Sequence, residues 1–381
     1  MPVDLAAAIA DTAFALRGYN VTNLGRTREF LDHRAYAPTM ERYLRAAGEL
    51  CADVTGQPVD LIRRVRAEEE AGLDAYAEAI ALVAAVELAQ LQMLSEFHGV
   101  QFADGRLAFG YSLGEITAIV AGGVFEFAEA VRVPLAMAAD CAALAADVTL
   151  GVLFSRGPVI DEVEVQRLCL QISSAGDGTV GLSAILSPNT FLVVGQRNTM
   201  QRFKDTMHDV LPMPAHLRLN QHRWPPLHTP IIRQANVPDR ASVMLAAARG
   251  GLTPPCPPVL SLATGEESYD DLSARDIIRR WIDHPQRLWD AVYGTLARGV
   301  KTVVHVGPAP NVIPATFHRL AANVSEQTSG RSLGSLGLKA VSGMARRPWL
   351  ATLLPSRTAL LRAPAVRQVV LEDWLLDADV D

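Results

Sequence analysis

Gly110-Tyr111-Ser112-Leu113-Gly114-Glu115 is the stretch of this chain that decides the fold. Apolar residues precede it in Leu107-Ala108-Phe109, and a helix-like apolar run follows from Ile116 to Ala121. The pattern predicts a buried strand, a sharp turn at Ser112 and then a helix. In such a turn the serine hydroxyl is exposed, and the helix N-terminus offers N–H groups to a developing oxyanion. We therefore interpret Ser112 as a nucleophile; the alternative is a glycine-rich turn that carries an incidental serine.

The residues after this turn resemble one protein family. Glu115 follows the second glycine directly, and the chain continues without a gap to Ala128-Glu129-Ala130-Val131-Arg132. This resembles the malonyl-CoA:acyl-carrier-protein transacylases and the acyltransferase domains of polyketide and fatty-acid synthases. Their string runs Gly-His-Ser-Leu-Gly-Glu, then a small apolar helix, then Asp-Ala-Val-Arg. Other blocks keep the family's order, so the resemblance covers about residues 10–325.

The resemblance implies an α/β fold with two subdomains. A large α/β-hydrolase-like subdomain with a parallel sheet would comprise residues 1–145 and 220–325, and a small ferredoxin-like subdomain would be inserted at residues 146–219. The pattern of the chain agrees, because short strands alternate with long alanine-rich helices up to about residue 145. The active site is then expected in the cleft between the two subdomains.

Within the small subdomain, two apolar segments read as strands and two longer segments as helices. We predict strands at 180–186 and 190–194 and helices at 162–171 and 199–210. Residues 326–381 form a C-terminal extension that the family does not explain. We favour a packing arm on the core, with an apolar strand at Val369-Val370-Leu371; the alternative is a docking segment for a carrier protein or a synthase.

Composition is that of a globular enzyme. The chain has 381 residues, 49% hydrophobic and 20% charged, which is ample for one or two large cores. A net charge of −6 argues against nucleic acid as a partner. The longest apolar run, Ala79 to Leu91, contains Glu87 and is too short and polar to span a membrane.

Cellular location is inferred from the cysteines and the N-terminus. The 4 cysteines are widely spaced and form no metal-type pair, which favours reduced thiols. The N-terminal residues show no export signal. We therefore expect a cytoplasmic protein without a membrane partner, and we find no motif for a metal or a redox cofactor.

A serine hydroxyl needs an adjacent base to act as a nucleophile near neutral pH. His228 is our candidate, because Leu227-His228-Thr229-Pro230-Ile231-Ile232 resembles the family's Phe-His-Ser-Pro-Leu-Met segment. His216 and His222 are nearby competitors. In the family the histidine is oriented by a backbone carbonyl, so no third triad side chain is assigned. The resemblance also implies an oxyanion hole made by the backbone N–H groups of Leu113 and Tyr19.

Several departures from the family bear on the acyl group. Counted from the serine without a gap, the family's arginine for the malonyl carboxylate falls at Met137, which would offer a soft apolar wall. Loss of that arginine would leave a buried carboxylate unpaired, at a cost of several kcal/mol. Tyr111 replaces the family's histidine before the nucleophile, and Trp281 falls near a family glutamine. We read Met137, Tyr111 and Trp281 as substrate-selecting residues that favour an uncharged acyl group.

These residues lead to a ranked set of functional hypotheses. The first is an acyltransferase that forms an acyl-serine and moves a non-carboxylated acyl group from a CoA or carrier thioester to an acyl carrier protein, in fatty-acid or polyketide-type biosynthesis. The second is an acyl-carrier-protein thioester hydrolase of the same family. The third is a non-catalytic protein that binds a carrier or a synthase. An unrelated esterase would leave the match from Glu115 to Arg132 unexplained.

An acyl carrier protein is acidic around its pantetheine serine, so the resemblance implies a basic rim near the site. The candidates in or near the small subdomain are Arg202, Lys204, Arg218 and Arg223. The alternative reading is ordinary solvated surface charge.

Overall fold

The structure is a computed structural model that describes residues 3–211, 214–328, 347–378 and 380. Strands form two separate sheets within these residues. The strands are β1 (Thr12–Leu16), β2 (Leu107–Gly110), β3 (Val148–Ser155), β4 (Val180–Ser187), β5 (Thr190–Gln196), β6 (Ala215–Leu219), β7 (Val259–Leu260), β8 (Thr302–Val306) and β9 (Arg367–Val370).

Helices cover both sheets. They are α1 (Leu5–Ala8), α2 (Thr27–Asp32), α3 (Ala37–Thr55), α4 (Leu61–Arg66), α5 (Tyr76–His98), α6 (Leu113–Ala121), α7 (Phe127–Ala145), α8 (Glu162–Ser174), α9 (Thr199–Val210), α10 (Val237–Ala247), α11 (Ala274–Asp283), α12 (Leu288–Ala297), α13 (Val312–Thr328), α14 (Pro348–Leu353) and α15 (Leu371–Asp377). Short 3₁₀ helices occupy Ile9–Asp11, Leu73–Ala75, Phe102–Asp104, Pro230–Ala235 and Thr358–Ala365.

The larger sheet is parallel and has the order β7-β2-β1-β8-β9. Its central strand β1 is buried throughout, and its side chains alternate between two cores. Phe14 and Leu16 pack into one cluster, whereas Ala13 and Ala15 pack into the other. A parallel strand buried on both faces reads as a continuous apolar run, which is what this segment shows.

The smaller sheet is antiparallel and has the order β4-β5-β3-β6. Its elements follow one another as β3-α8-β4-β5-α9-β6, which is the ferredoxin-like arrangement predicted from the sequence. One face packs on α8 and α9 through residues such as Leu153 and Val193. The opposite face, which carries Leu150, Val152 and Leu192, is turned toward the large subdomain and lines a cavity there.

Helix α5 is the central helix of the core. By length and composition alone, residues 73–98 could cross a membrane, and they form the one helix of that kind among the described residues. However, 83% of their most apolar window is buried inside the protein. Its long apolar composition is therefore explained by packing against α3 and α7.

The C-terminal extension packs against the large subdomain. Its strand β9 runs parallel to β8, with Val369 paired to Val304. In α15, Glu372 is buried and accepts hydrogen bonds from the backbone N–H groups of Ala309 (2.9 Å) and Arg26 (3.1 Å). Residues 329–346, near the start of this extension, lie outside the described residues.

The turn between β2 and α6 brings two backbones into direct contact. A Cβ atom at Gly114 would lie 2.4 Å from the Leu16 carbonyl oxygen, and one at Gly110 would lie 2.0 Å from the carbonyl carbon of Gly114. Real side chains do not tolerate such distances, so both positions require glycine. Because of this contact, the turn is seated directly on the end of β1.

We expect Gly114→Ala to destabilise the protein strongly, since the obstructing atoms belong to the backbone of β1 and cannot rotate away. Overpacking of this kind costs about 1–3 kcal/mol or more. The control is Gly48→Ala on α3, where a Cβ would be 3.4 Å from its nearest neighbour, the Val59 carbonyl oxygen. Urea unfolding should separate the two variants; equal free energies of unfolding would contradict this account of the turn.

Candidate active site

Ser112 lies at the carboxyl end of β2, immediately before α6. Its backbone has φ 53° and ψ −118°, a conformation that non-glycine residues rarely adopt. Strain of this kind persists only where the surroundings fix it, and it is typical of nucleophiles held on a sharp turn. The Ser112 hydroxyl oxygen lies 2.7 Å from Nε2 of His228. The structure thus brings together the two side chains predicted to react.

His228 is oriented by a backbone carbonyl. Its Nδ1 lies 2.5 Å from the Trp281 carbonyl oxygen, so Nδ1 carries the proton and Nε2 is left free to accept from Ser112. The imidazole is 5% exposed, and burial lowers its pKa to about 4 although the Trp281 carbonyl and Asp283 favour the charged form. The ring is therefore neutral near pH 7, as a general base must be.

Neither competing histidine is the partner of Ser112. His216 is exposed on β6, where its ring lies 5.4 Å from that of Phe154. His222 is exposed and lies beyond the same strand, where it lines a neighbouring cleft that Ser112 does not line. The described residues contain no group of three or more histidine, cysteine, aspartate or glutamate side chains that could hold a metal ion.

The two backbone N–H groups predicted for the oxyanion hole are placed on either side of the turn. Leu113 is the first residue of α6, and an N–H group in the first turn of a helix has no acceptor within it. Tyr19 follows Gly18 in the loop after β1. A Cβ at Gly18 would lie 2.6 Å from the Tyr111 carbonyl oxygen and 3.1 Å from the Ser112 Cβ, so this loop touches the nucleophile turn.

Two buried carboxyl groups form hydrogen bonds with backbone segments next to the turn. Glu87 on α5 accepts the backbone N–H of Arg17 at 2.7 Å, and burial raises the pKa of Glu87 to about 8. Glu115 accepts the backbone N–H of Leu262 at 2.9 Å and the hydroxyl of Tyr269 at 2.8 Å. Burial raises the pKa of Glu115 to about 7. These contacts fix the loop after β1 and the start of α6 relative to the rest of the sheet.

Trp281 and Gln286 hold the backbone of Ser112 from the other side. Trp281 Nε1 donates to the Ser112 carbonyl oxygen at 2.8 Å, and Gln286 Oε1 accepts the Ser112 N–H at 2.9 Å. Gln286 Nε2 also lies 3.3 Å from His228 Nδ1. The sequence analysis did not identify Gln286; the one signal for it was that a family glutamine falls near Trp281, five residues earlier in the chain.

A cavity of about 460 Å³ opens from Ser112 and His228. Its roof is the open face of the small sheet, with Leu150, Val152, Leu192 and Val194. Its floor is one face of α13, whose lining residues recur at helical spacing. That face comprises Val312, Ala315, Thr316, Arg319, Leu320 and Asn323.

Aromatic rings close the inner side of the cavity. Tyr19 lies edge-on to Tyr76 at 4.9 Å and to Trp224 at 6.0 Å, measured between ring centroids. Tyr111 lines the cavity as well, and burial raises its pKa. These four rings all belong to the cavity lining, which is thus mostly apolar near Ser112.

Two of the residues predicted to select the substrate, Met137 and Trp281, do not line the cavity. Met137 is 2% exposed on α7 and packs in the core of the large subdomain; it is not among the residues that line the cavity. The apolar wall that we expected from Met137 is therefore absent from the cavity, whose apolar lining includes the aromatic rings instead. Trp281 is also buried, and it touches Ser112 and His228 through hydrogen bonds rather than lining the cavity.

Comparison with known proteins identifies solved structures that have a similar fold. No family model and no curated protein matches the sequence, but solved structures do. FabD from Acinetobacter baumannii is 17% identical with a TM-score of 0.64, over 79% of this chain and 88% of that chain. An acyl carrier protein S-malonyltransferase from Vibrio cholerae is 18% identical with a TM-score of 0.63, over 80% of this chain and 92% of that chain.

A third similar structure is PlMCAT:AntF, a type II polyketide-synthase acyl carrier protein in complex with its malonyl-transacylase. It is 19% identical with a TM-score of 0.61, over 80% of this chain and 91% of that chain. At these identities the likeness establishes the fold. The chain therefore has the two-subdomain α/β fold of the acyl-carrier-protein malonyltransferases, as the resemblance in sequence predicted.

The lowered pKa of His228 predicts that the rate of Ser112 acylation persists to an unusually low pH. A base with a pKa of about 4 is about 90% neutral at pH 5, whereas an ordinary histidine of pKa 6.5 is only about 3% neutral. We expect kcat/KM to fall only slightly between pH 7 and pH 5, to be about halved near pH 4 and to be lost below it. Stopped-flow acylation with circular dichroism at each pH checks this; a midpoint near 6.5 would contradict it.

Gln286→Met should slow acylation of Ser112, because the strained turn loses the acceptor for its N–H. An unsatisfied N–H also lowers the free energy of unfolding by about 1–3 kcal/mol. The matched control is Gln196→Met on β5, whose amide bonds Gln234 instead. Gln196→Met should lose stability and retain the acylation rate per folded molecule. If both variants acylate equally fast, Gln286 does not position the nucleophile.

Proposed function

We propose that this protein is an acyltransferase that carries an acyl group as an ester on Ser112 and delivers it to an acyl carrier protein, in fatty-acid or polyketide-type biosynthesis. The observation that carries the proposal is the Ser112–His228 pair, 2.7 Å apart on a strained turn at the inner end of an apolar cavity. The similar structures named as malonyltransferases support the reaction type, and one of them is a complex with an acyl carrier protein.

The mechanism is a two-step acyl transfer. His228 Nε2 takes the hydroxyl proton as Ser112 attacks the thioester carbon, and the Trp281 carbonyl stabilises the imidazolium that forms. The N–H groups of Leu113 and Tyr19 receive the developing oxyanion. When the intermediate collapses, the leaving thiolate takes the proton from His228. A carrier thiol then attacks the acyl-serine by the same steps in reverse.

The acyl group that we propose is uncharged. Arg17 is the buried arginine of the cavity, and its guanidinium already donates to the carbonyls of Gly18, Thr22 and Pro308 and to the side chain of Asn23. Arg319, the other arginine in the lining, is exposed. The Arg17 guanidinium is therefore already occupied, and Arg319, which has no carboxylate partner among the described residues, stays exposed to solvent rather than buried beside an acyl group. Burying a carboxylate unpaired among the aromatic rings costs about 3 kcal/mol or more.

Intact-protein mass spectrometry with hexanoyl-, octanoyl- and malonyl-CoA tests this proposal. The wild-type protein should gain the neutral acyl groups, and Ser112→Ala should gain none. Malonyl loading should be slower by at least about 100-fold, which is the rate equivalent of the unpaired carboxylate. Malonyl loading as fast as octanoyl loading would refute the uncharged acyl group.

A second stage separates transfer from hydrolysis. After octanoyl loading, holo-acyl carrier protein is added, and the products are resolved by mass. Octanoyl carrier protein as the main product supports transfer, whereas free octanoic acid formed at the same rate with or without carrier indicates a thioester hydrolase. If no donor acylates Ser112, the protein does not catalyse this chemistry.

A further inference from the structure

A second cleft, of about 960 Å³, opens beside the acyl cavity. The two spaces share part of their lining, including Val152, Thr190, Asn220, Arg319 and Trp349. They are therefore adjacent, and Ser112 lines only the first of them. A molecule whose reactive end reaches Ser112 would place its other end in this cleft.

The second cleft is basic. Arg156, Arg218, Arg319 and Arg347 line it, and none of its described lining residues is an aspartate or a glutamate. Among the described residues, Arg347 is paired with Glu326, and the other three arginines have no carboxylate within salt-bridge distance. The whole chain has a net charge of −6, so this local excess of positive charge does not follow from composition.

The arginines come from three separate parts of the fold. Arg218 stands on the edge strand β6 opposite Val152, and Arg156 directly follows β3. Arg319 lies on α13, across the cleft. Arg347 belongs to the C-terminal extension and directly precedes α14. Convergence of like charges from distant segments is unfavourable unless an anion compensates it.

The C-terminal extension is fixed where it enters this cleft. The Arg347 N–H donates to Gln327 at 3.1 Å, and the Trp349 N–H donates to the Gly157 carbonyl at 3.1 Å. The Trp349 ring packs edge-on against Trp289 at 6.0 Å. Arg347 Nε is buried and has no hydrogen-bond acceptor among the described residues. The Arg347 guanidinium is paired with Glu326 through Nη2 and its side chain is partly exposed, so the Nε–H remains available to one further oxygen acceptor.

We infer that this cleft is a phosphate site, completed by the C-terminal extension, for the phosphate at the end of a pantetheine arm. The inference rests on the proposed function, since the arm must bring a thioester to Ser112. Guanidinium groups bind phosphate through paired N–H donors. That phosphate occurs both in coenzyme A and on a carrier protein, and the experiment separates these sources.

The test compares three donors that differ only beyond the pantetheine: hexanoyl-pantetheine, hexanoyl-4′-phosphopantetheine and hexanoyl-CoA. Loading of Ser112 is followed in the full-length protein and in Arg218→Gln, Arg347→Gln, Arg218→Lys and the control Arg45→Gln. Arg45 is exposed on α3 and lines neither cavity. KM for the phosphopantetheine donor should rise roughly tenfold in both glutamine variants, with kcat unchanged. The pantetheine donor should show no such rise, and Arg218→Lys should recover part of the affinity.

Each other outcome has a definite meaning. A KM that rises equally for all three donors indicates a disturbed fold and overturns the inference. A rise confined to hexanoyl-CoA also overturns it, because the arginines would then bind the nucleotide. Repeating the second half-reaction with holo-carrier protein shows whether the carrier's phosphate uses the same arginines.

Direct binding keeps the test independent of turnover. Calorimetric titration with free 4′-phosphopantetheine should give weaker binding to Arg218→Gln and Arg347→Gln than to the wild-type protein. If Ser112 is never acylated but this difference is found, the proposed function fails and the phosphate site stands. If Ser112 is acylated and the difference is absent, the site fails and the proposed function stands.

Discussion

The backbone of Ser112 is the constraint on which the rest of this structure depends. A residue held at φ 53° is unstable by itself, so several elements must fix it at once. The backbone at the end of β1 contacts Gly114. The side chains of Trp281 and Gln286 bind the carbonyl and the N–H of Ser112, respectively. The Trp281 carbonyl also orients His228. One set of contacts thus determines the position of both the nucleophile and its base.

The electrostatics follow from the same burial. The site keeps its reacting groups neutral, since a buried imidazole with a lowered pKa faces an uncharged hydroxyl. The ionisable groups behind it, Glu87, Glu115 and Arg17, are bonded to backbone groups rather than pointed at the substrate. Arginine side chains are instead concentrated in the second cleft. A thioester with a neutral acyl chain and an anionic far end matches this division.

The sequence was sufficient to predict the fold and to predict that Ser112 and His228 lie together, because the patterns around both residues resemble one family. A strand, a tight turn and a helix around Ser112 leave a continuous signature, and the family resemblance extends it to His228. The helices and strands predicted between residues 162 and 210 agree with α8, β4, β5 and α9. Strand β6 was not predicted, because it is only five residues long, its apolar residues are interrupted by His216 and Arg218, and three of its five residues are exposed.

The details of the cavity could not be read from the sequence, because they depend on which side chains meet across the fold. Met137 lies at the expected position in the chain, yet its side chain belongs to the core of the large subdomain. Tyr19, Tyr76 and Trp224 are far apart in sequence and meet only through tertiary packing. The arginines of the second cleft also come from distant parts of the chain. Of these, the sequence analysis named only Arg218 as part of a basic rim.

Strand β9 has a consequence for how separate molecules of this protein meet. Without it, β8 would form the border of the parallel sheet and expose a row of backbone donors and acceptors along its buried apolar residues. Such a border can recruit a strand from another chain and begin aggregation. The C-terminal extension replaces it with a border only four residues long that begins with an exposed arginine, Arg367. The tendency of separate molecules to aggregate is therefore limited by the same extension.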